Sequence, residues 1–152
     1  MIADDPTMHA TLKKFGYPET LLKDFTHWVI LRRPVQATLG ALVLISKHEA
    51  TSLGSLPIEA HAELKGCTSA LEKALTAFRR YDKLNYLALM MVDPHVHFHV
   101  LPRYASDQVF DGVTFADKGW PGVPDLKLSP ELSSQTTNLL HTSLLDAFGQ
   151  VV

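Results

Sequence analysis

Short apolar segments of strand length alternate with polar stretches along this chain. β-Branched and aromatic residues predict a strand at residues 25–33, which ends at Pro34. The continuous apolar run LGALVLISKH, residues 39–48, is typical of a central strand that is buried on both faces. Two further strands are predicted at residues 83–91 and 95–104, joined by the turn VDP.

Helical spacing of apolar residues marks the longer segments. A C-terminal helix is predicted over residues 130–148, with Ser129 as N-cap and Pro130 at the first helical position. A short helix is predicted within DPTMHATLKKF, residues 5–15. In residues 57–80, apolar side chains recur every three or four positions and predict one buried helix face: Ile58, Ala62, Leu71, Ala74, Leu75 and Phe78.

Together these elements predict an α+β domain with a mainly antiparallel sheet and helices packed on one side. We expect a single domain over residues 1–152, with its core at about residues 20–104. Residues 105–128 are rich in Gly, Pro and Asp and predict an irregular excursion. Since long irregular segments in small domains often carry function, we expect substrate choice to be made there.

Composition narrows the class of protein. Lys and Arg number 14 and Asp and Glu number 16, so the formal net charge is −2, and no long block of like charge occurs. A broad nucleic-acid or anionic-membrane surface is therefore not expected. No stretch approaches the length of a membrane span, and the N-terminal residues do not resemble a secretory signal. The single cysteine, Cys67, is expected to be buried, and the cytoplasm is the expected compartment.

The segment DPHVHFHVLPRY, residues 93–104, carries a histidine at every second position: His95, His97 and His99. Alternate side chains of a strand share a face, so these three histidines would line one face and the intervening apolar residues would face the core. Three buried histidines without a function would each need hydrogen-bond partners, which disfavours a purely structural role.

Two chemical roles remain for the array. Histidines can bind zinc, but the Cα atoms of His95 and His99 would be about 13 Å apart in a strand, so further ligands would be needed from elsewhere. Nearby carboxylates for this are Asp93 and Asp107. Alternatively, a neutral imidazole can attack phosphorus while its neighbours hold phosphate oxygens and assist the leaving oxygen, which requires no cofactor.

The segment HVHFHVL, residues 95–101, resembles the signature of the histidine triad (HIT) superfamily, His-φ-His-φ-His-φ-φ with φ apolar, at all seven positions. The PRY that follows resembles the fragile-histidine-triad branch. Upstream, LGALVLISKH resembles the family's central strand, and RRPV resembles the approach to it.

This resemblance implies a HIT-like fold and a nucleotide hydrolase or nucleotidyltransferase. It implies that His97 attacks an α-phosphorus, that His99 assists departure of the bridging oxygen, and that His95 orients the array. A nucleotidyl-histidine intermediate would then be released to water or another acceptor. The implied substrates are of the purine nucleoside phosphoramidate or dinucleoside polyphosphate type.

Two departures from the family's pattern keep an alternative open. Related chains often carry a histidine directly after the glycine before the central strand, where this chain has Ala41, and His48 lies too late to replace it. The stretch before His95 also lacks the Gly, Gln, Ser and Thr residues that contact phosphate in many members. The alternative is a nucleotide-binding module with weak or no catalysis, and a metal-binding protein is a third possibility.

Five other residues are assigned from their local context. Asn85 and Arg103 are candidate nucleotide or phosphate ligands. A structural role at a strand end is the alternative for Asn85, and a solvated strand end is the alternative for Arg103. Arg32 and Arg33 are predicted to be a solvated pair. His27 is predicted to be a structural histidine with satisfied hydrogen bonds.

A two-fold homodimer is expected, mainly from the resemblance. The predicted helix at residues 57–80 and the strand at residues 83–91 also carry more apolar surface than one small layer readily covers. An obligate interface resembles a divided hydrophobic core. We therefore expect Leu71, Leu75 and Leu87 near that interface.

Overall fold

An antiparallel β-sheet forms the centre of the fold. The computed structural model describes residues 8–149. Its main sheet within that range comprises β1 (Leu21–Asp24), β2 (Trp28–Arg32), β3 (Leu42–Ser46), β4 (Lys83–Leu87) and β5 (His97–Arg103). The strand order is β1-β2-β3-β5-β4, and each neighbouring pair is antiparallel, as predicted.

Helices cover the sheet unequally. The helices described are α1 (Ala10–Lys14), α2 (Ile58–Phe78) and α3 (Ser134–Gly149), with a 3₁₀ turn at Leu53–Ser55. The two long helices, α2 and α3, pack against one face, which confirms the predicted arrangement. The five-residue α1 lies on the other face, where Leu12 and Phe15 contact the sheet. The part of its predicted segment before residue 8 lies outside the described residues.

β3 occupies the central position that its apolar run predicts. All five of its residues are buried. Leu42 and Leu44 belong to the core beneath the long helices, whereas Val43 and Ile45 pack on the opposite side with Phe15. Because both faces of β3 are covered, every side chain along it can be apolar without exposure to water.

Several strand boundaries differ from the prediction. The segment predicted at residues 25–33 is preceded by β1, and a tight turn joins β1 to β2, in which the Phe25 N–H donates to the Trp28 carbonyl at 2.9 Å. β4 ends at Leu87 and β5 begins at His97. His95 therefore lies just before β5 instead of within it.

The segment at residues 105–128 is more regular than predicted. It contains a hairpin formed by β6 (Gln108–Phe110) and β7 (Val113–Phe115). The connecting residues Asp111 and Gly112 both have positive φ, at 50° and 75°. An Asp-Gly pair suits this two-residue turn because glycine, and to a lesser degree aspartate, tolerates the left-handed region. The DG dipeptide was thus a hairpin signal that the prediction of an irregular excursion missed.

The C-terminal helix begins later than predicted. It starts at Ser134, and its cap is Ser133, whose Oγ accepts the Thr136 N–H at 3.1 Å. Ser129 instead donates to the neighbouring Pro130 carbonyl and caps no helix, so the predicted start at residue 130 is wrong. A proline can occupy the first turn of a helix, but it does not by itself create one.

The core contains residues that were assigned to an interface. Leu71 and Leu75 are buried within the chain's own core beneath the sheet, so their predicted place at a dimer interface is wrong. Leu87 is partly buried against the small apolar cluster around Leu101.

Cys67 is buried as expected, and burial raises the pKa of its thiol to about 12. Among residues 8–149, no helix has the length and apolarity needed to cross a bilayer.

Candidate active site

The second and third motif histidines lie side by side in the middle of the sheet. On β5, His97 stands opposite Ile45 of β3, and His99 stands opposite Val43. Their ring centroids are 5.0 Å apart and the ring planes are nearly perpendicular. Both side chains face the side of the sheet on which Phe15 lies, and both contact its ring. Strand alternation therefore places the two imidazoles on one face, as the motif predicts.

A backbone hydrogen bond fixes the orientation of His97. Its Nδ1 lies 2.7 Å from the carbonyl oxygen of His95. A carbonyl oxygen only accepts, so Nδ1 of His97 must carry the proton. In the neutral ring the lone pair is then on Nε2. The segment just before β5 thus prepares one specific nitrogen of His97 to act as a base or nucleophile.

His95 is held by residues distant in sequence. Its Nδ1 is 2.9 Å from the hydroxyl of Thr11, and its Nε2 is 3.3 Å from a carboxylate oxygen of Glu49. Its ring also stacks on His9, with the centroids 3.9 Å apart. These contacts fix the ring of His95, and with it the carbonyl that orients His97.

His9 is a buried histidine that the sequence analysis did not identify. Its Nε2 donates to the Ser46 carbonyl at 2.6 Å, and its Nδ1 accepts the Leu12 N–H at 3.3 Å as the N-cap of α1. Burial lowers the pKa of His9, so the neutral ring is favoured. His9 thereby joins α1 to the end of β3 and supports the ring of His95.

Arg32 and Arg33 do not form the solvated pair that was predicted, because Arg33 is buried and Arg32 is half-buried. Arg33 is 8% exposed, and its Nε donates to Nδ1 of His99 at 3.2 Å. Its Nη1 donates to the carbonyls of Val35 and Leu126. Arg32 points to the other face, where its Nε donates to Nδ1 of His141 on α3. Successive side chains of a strand point to opposite faces of the sheet, so Arg32 and Arg33 lie on opposite faces for the same reason that the motif histidines and the intervening core residues do.

Burial and charge act together on His99. The side chain is 6% exposed. Burial, followed by the positive charge of Arg33 and the proximity of His97, lowers the pKa of His99 to about 4. His99 is therefore neutral at physiological pH.

A cavity of about 310 Å³ opens beside these groups. Its polar lining residues include one acid and five groups that carry nitrogen: Asp93, Lys14, Arg33, His97, His99 and Lys127. The loop at residues 89–92 contributes an apolar wall. The cavity thus combines imidazole nitrogens and positive charge with an apolar surface, a combination that suits a ligand with an anionic group and an aromatic or aliphatic part.

The structure does not bring Asn85 and Arg103 to this cavity. Arg103 forms a bidentate ion pair with Asp117, at 2.5 and 2.9 Å, and its Nη1 donates to the Oδ1 of Asn85 at 2.6 Å. Both residues line a separate groove beside β4 and Trp120. The contact of Asn85 favours its structural alternative, whereas Arg103 is only 3% exposed, so the solvated alternative is wrong for it. A phosphate-binding role for either residue remains a prediction.

Other histidines also have partners. His27 Nδ1 is 2.9 Å from Nε2 of His48, and the backbone N–H of His27 donates to Glu63 at 2.6 Å. His48 therefore lies at a different place from the motif histidines. Within residues 8–149, no group of three or more His, Cys, Asp or Glu side chains is arranged to hold a metal ion.

Comparisons with known proteins were made by sequence and by structure. No protein-family model and no curated protein matches the sequence. A histidine triad protein from Bradyrhizobium japonicum superposes with a TM-score of 0.71 at 20% identity, covering 95% of this chain and 96% of that one. A histidine triad (HIT) protein from Sinorhizobium meliloti 1021 gives 0.70 at 15% identity, covering 92% and 95%. A hypothetical histidine triad nucleotide-binding protein from Sulfolobus tokodaii strain 7 gives 0.65 at 16% identity, covering 86% and 84%.

These likenesses extend over nearly the whole of the chain and of the first two structures. At such low identity they concern the fold, and they do not distinguish the fragile-histidine-triad branch from others. The chain therefore has the fold of the histidine triad (HIT) proteins, which confirms the resemblance carried by its HVHFHVL motif.

Proposed function

We propose that this chain is a nucleotide hydrolase or nucleotidyltransferase that acts at an α-phosphate through a nucleotidyl-histidine intermediate on His97. The observation that carries the proposal is the hydrogen bond from Nδ1 of His97 to the His95 carbonyl. It leaves Nε2 as the nitrogen with the lone pair in a ring that borders a basic cavity.

The proposed reaction has two steps. Nε2 of His97 attacks the α-phosphorus, so that an N–P bond forms while the bond from phosphorus to the leaving group breaks with its electron pair. Water or another acceptor then attacks the same phosphorus and releases its proton to solvent, while the N–P bond breaks and its electron pair returns to Nε2 of His97. His99 lies beside His97 and donates a hydrogen bond toward the departing group, while His95 holds the orientation of His97.

The charge and shape of the cavity support a nucleotide substrate. Lys127 offers positive charge to phosphate oxygens, and so does Lys14, which lies 3.8 Å from the Asp93 carboxylate. The apolar loop at residues 89–92 offers a surface for a base. Purine nucleoside phosphoramidates and dinucleoside polyphosphates are the two substrate types to be tested. Residues 105–128 are proposed to take part in substrate choice, and Leu126 within them both lines the cavity and accepts from Arg33.

The proposal is tested by replacing His97. H97A should abolish turnover of both substrate types, and rapid quenching of the unaltered protein should trap a nucleotidyl adduct that H97A does not form. H97N retains a donor for the His95 carbonyl but lacks the nucleophile, so it should be equally inactive and well folded. H61A is the matched control, because His61 is exposed on α2 and contacts the Leu53 carbonyl. Full turnover by H97A or H97N would contradict the mechanism.

A nucleotide-binding module without efficient catalysis is the second candidate. Ala41, at the position where related chains often carry a histidine, is fully buried in the apolar cluster with Leu101. Binding of AMP or GMP by calorimetry, with no turnover of either substrate type, would support this alternative and contradict the first.

We further propose a single domain and a two-fold homodimer. Among the described strands β4 is at one edge of the sheet, and Tyr86 and Leu89 near it are at least one-third exposed. A shared edge of this kind would bury the same residues from each chain. Sedimentation over a broad concentration range should give twice the mass of one chain. An active species with the mass of a single chain would contradict the dimer.

A further inference from the structure

The contact between Arg33 and His99 links two strands that are not neighbours in the sheet. Arg33 continues the β2–β3 ladder, where its N–H donates to the Ala41 carbonyl at 3.0 Å. His99 stands on β5 opposite Val43, two residues further along β3. The side chain of Arg33 nevertheless reaches the imidazole, because its Nε donates to Nδ1 of His99 at 3.2 Å.

The chemistry of the two groups determines which nitrogen of His99 carries the proton. A guanidinium has donors and no acceptor, so Nδ1 of His99 must accept the hydrogen bond from Nε of Arg33. The proton of the neutral ring is then on Nε2. A second proton could only be added at Nδ1, where it would break this hydrogen bond and place an imidazolium directly against a guanidinium.

The guanidinium is itself held in place. Its Nη1 donates to the Val35 carbonyl at 2.8 Å and to the Leu126 carbonyl at 2.9 Å. Val35 is two residues from Arg33 along the chain, whereas Leu126 is 93 residues away. These two hydrogen bonds anchor the guanidinium beside His99.

We infer that Arg33 is a positioning residue that holds His99 as a neutral Nε2–H donor, and that the site consequently prefers leaving groups that depart as anions over leaving groups that depart as amines. The inference rests on the proposed function. It goes further by distinguishing between the two substrate types, through the contact between Arg33 and His99.

The preference follows from the fate of the electron pair when the bond to phosphorus breaks. A phosphate or nucleoside phosphate leaves with that pair as a stable anion and needs only a hydrogen bond from Nε2–H of His99. The nitrogen of a phosphoramidate must receive a proton to leave as a neutral amine. A neutral imidazole is a far weaker acid than an imidazolium and cannot supply that proton, so the phosphoramidate should be the poorer substrate.

The first experiment observes the ring directly. In ¹⁵N NMR spectra of the full chain labelled at histidine, His99 should show an unprotonated Nδ1 and a protonated Nε2 from about pH 5 to about pH 8. An Nδ1–H tautomer, or an imidazolium at about pH 7, would overturn the inference without any variant.

The second experiment compares two substrates that share an adenylyl group, diadenosine triphosphate and adenosine 5′-phosphoramidate. The ratio of their kcat/KM values should favour the triphosphate in the unaltered protein. R33M should lower that ratio by about tenfold or more, because each unit by which the pKa of His99 rises increases its protonated fraction about tenfold. R32M is the control, since Arg32 makes the same type of contact to His141 on the opposite face, and it should leave the ratio unchanged.

The outcomes separate this inference from the proposed function. Turnover of both substrates with a ratio that R33M does not change would contradict the role of Arg33 and leave the function intact. No turnover of either substrate would contradict the function and the leaving-group preference together. The NMR spectrum decides the relationship between Arg33 and His99 in both cases.

Discussion

Arg103 on β5 and Asp117 beyond the β6–β7 hairpin form a bidentate ion pair whose side chains are only 4% and 2% exposed. The pair joins the segment at residues 105–128 to the central sheet. The Leu126 carbonyl, further along the same segment, reaches Arg33 beside the motif histidines. A surface excursion is in this way fixed relative to the candidate active site.

Removing one partner of this pair should destabilise the fold severely. D117A leaves the guanidinium of Arg103 buried without its carboxylate, and we expect a loss of about 3–5 kcal/mol in the free energy of unfolding, measured by urea denaturation. D24A is the control, because Asp24 pairs with Lys47 at 2.6 Å with its side chain 46% exposed. D24A should cost less than about 1 kcal/mol. Equal effects of the two substitutions would show that burial does not determine the strength of the Arg103 pair.

Asn85 provides a test of its two possible roles. Its Oδ1 accepts from Nη1 of Arg103, a hydrogen bond to a charged group, so N85A should lower the free energy of unfolding by about 1.5–3 kcal/mol. Because Asn85 does not line the cavity, N85A should change the nucleotide KM by less than about twofold. A large rise in KM with unaltered stability would instead support the phosphate-binding role that the sequence suggested.

Stability should depend on pH through His99. Its ordinary pKa is 6.5, and in the folded chain burial, Arg33 and His97 lower the pKa to about 4. Between these values the unfolded chain binds a proton that the folded chain does not, so the free energy of unfolding should fall as the pH is lowered through this window. The full contribution is present above pH 6.5, and its loss amounts to about 3 kcal/mol.

Urea denaturation at a series of pH values measures this slope. H99N removes the titrating group and should flatten the curve between pH 6.5 and about 4. Some slope should remain, because burial also lowers the pKa of His9. An H99N curve that runs parallel to that of the unaltered protein would contradict the assignment.

Thr11 should affect catalysis without contacting the substrate. Its hydroxyl is 2.9 Å from Nδ1 of His95, whose carbonyl orients His97. T11V should lower kcat by about 10-fold to about 100-fold, as expected when a reacting group is misplaced, with little change in KM. T68V is the control, since the hydroxyl of Thr68 donates only within α2. An unchanged kcat in T11V would mean that His95 needs no support from α1.

Two serines distinguish the observed start of α3 from the predicted one. Ser133 Oγ accepts the Thr136 N–H, whereas Ser129 donates to its neighbour's carbonyl on the surface. S133A should lower the free energy of unfolding by about 1 kcal/mol, the usual value of an N-cap. S129A should leave it unchanged. Thermal or urea unfolding of both variants checks the difference, and the reverse order would place the cap at Ser129 after all.

Local sequence patterns were sufficient for four of the five strands of the main sheet, all but β1, and for the face on which His97 and His99 lie. Alternation in HVHFHVL places His97 and His99 on one face because a strand has a period of two, whatever surrounds it. The unbroken apolar run at β3 predicted a strand covered on both faces for a similar reason. These features depend on periodicity, and periodicity is a property of neighbouring residues.

The partners of those histidines were determined only by the tertiary structure. Arg33 and His99 are 66 residues apart, Thr11 and His95 are 84 apart, and no local pattern connects them. The local sequence RRPV does not distinguish the roles of its two arginines, yet strand alternation places Arg32 against His141 and Arg33 against His99. The sequence by itself thus determined which residue types share a face, whereas the tertiary structure decided which nitrogen of each imidazole carries the proton, because hydrogen-bond partners are set by contacts between distant segments.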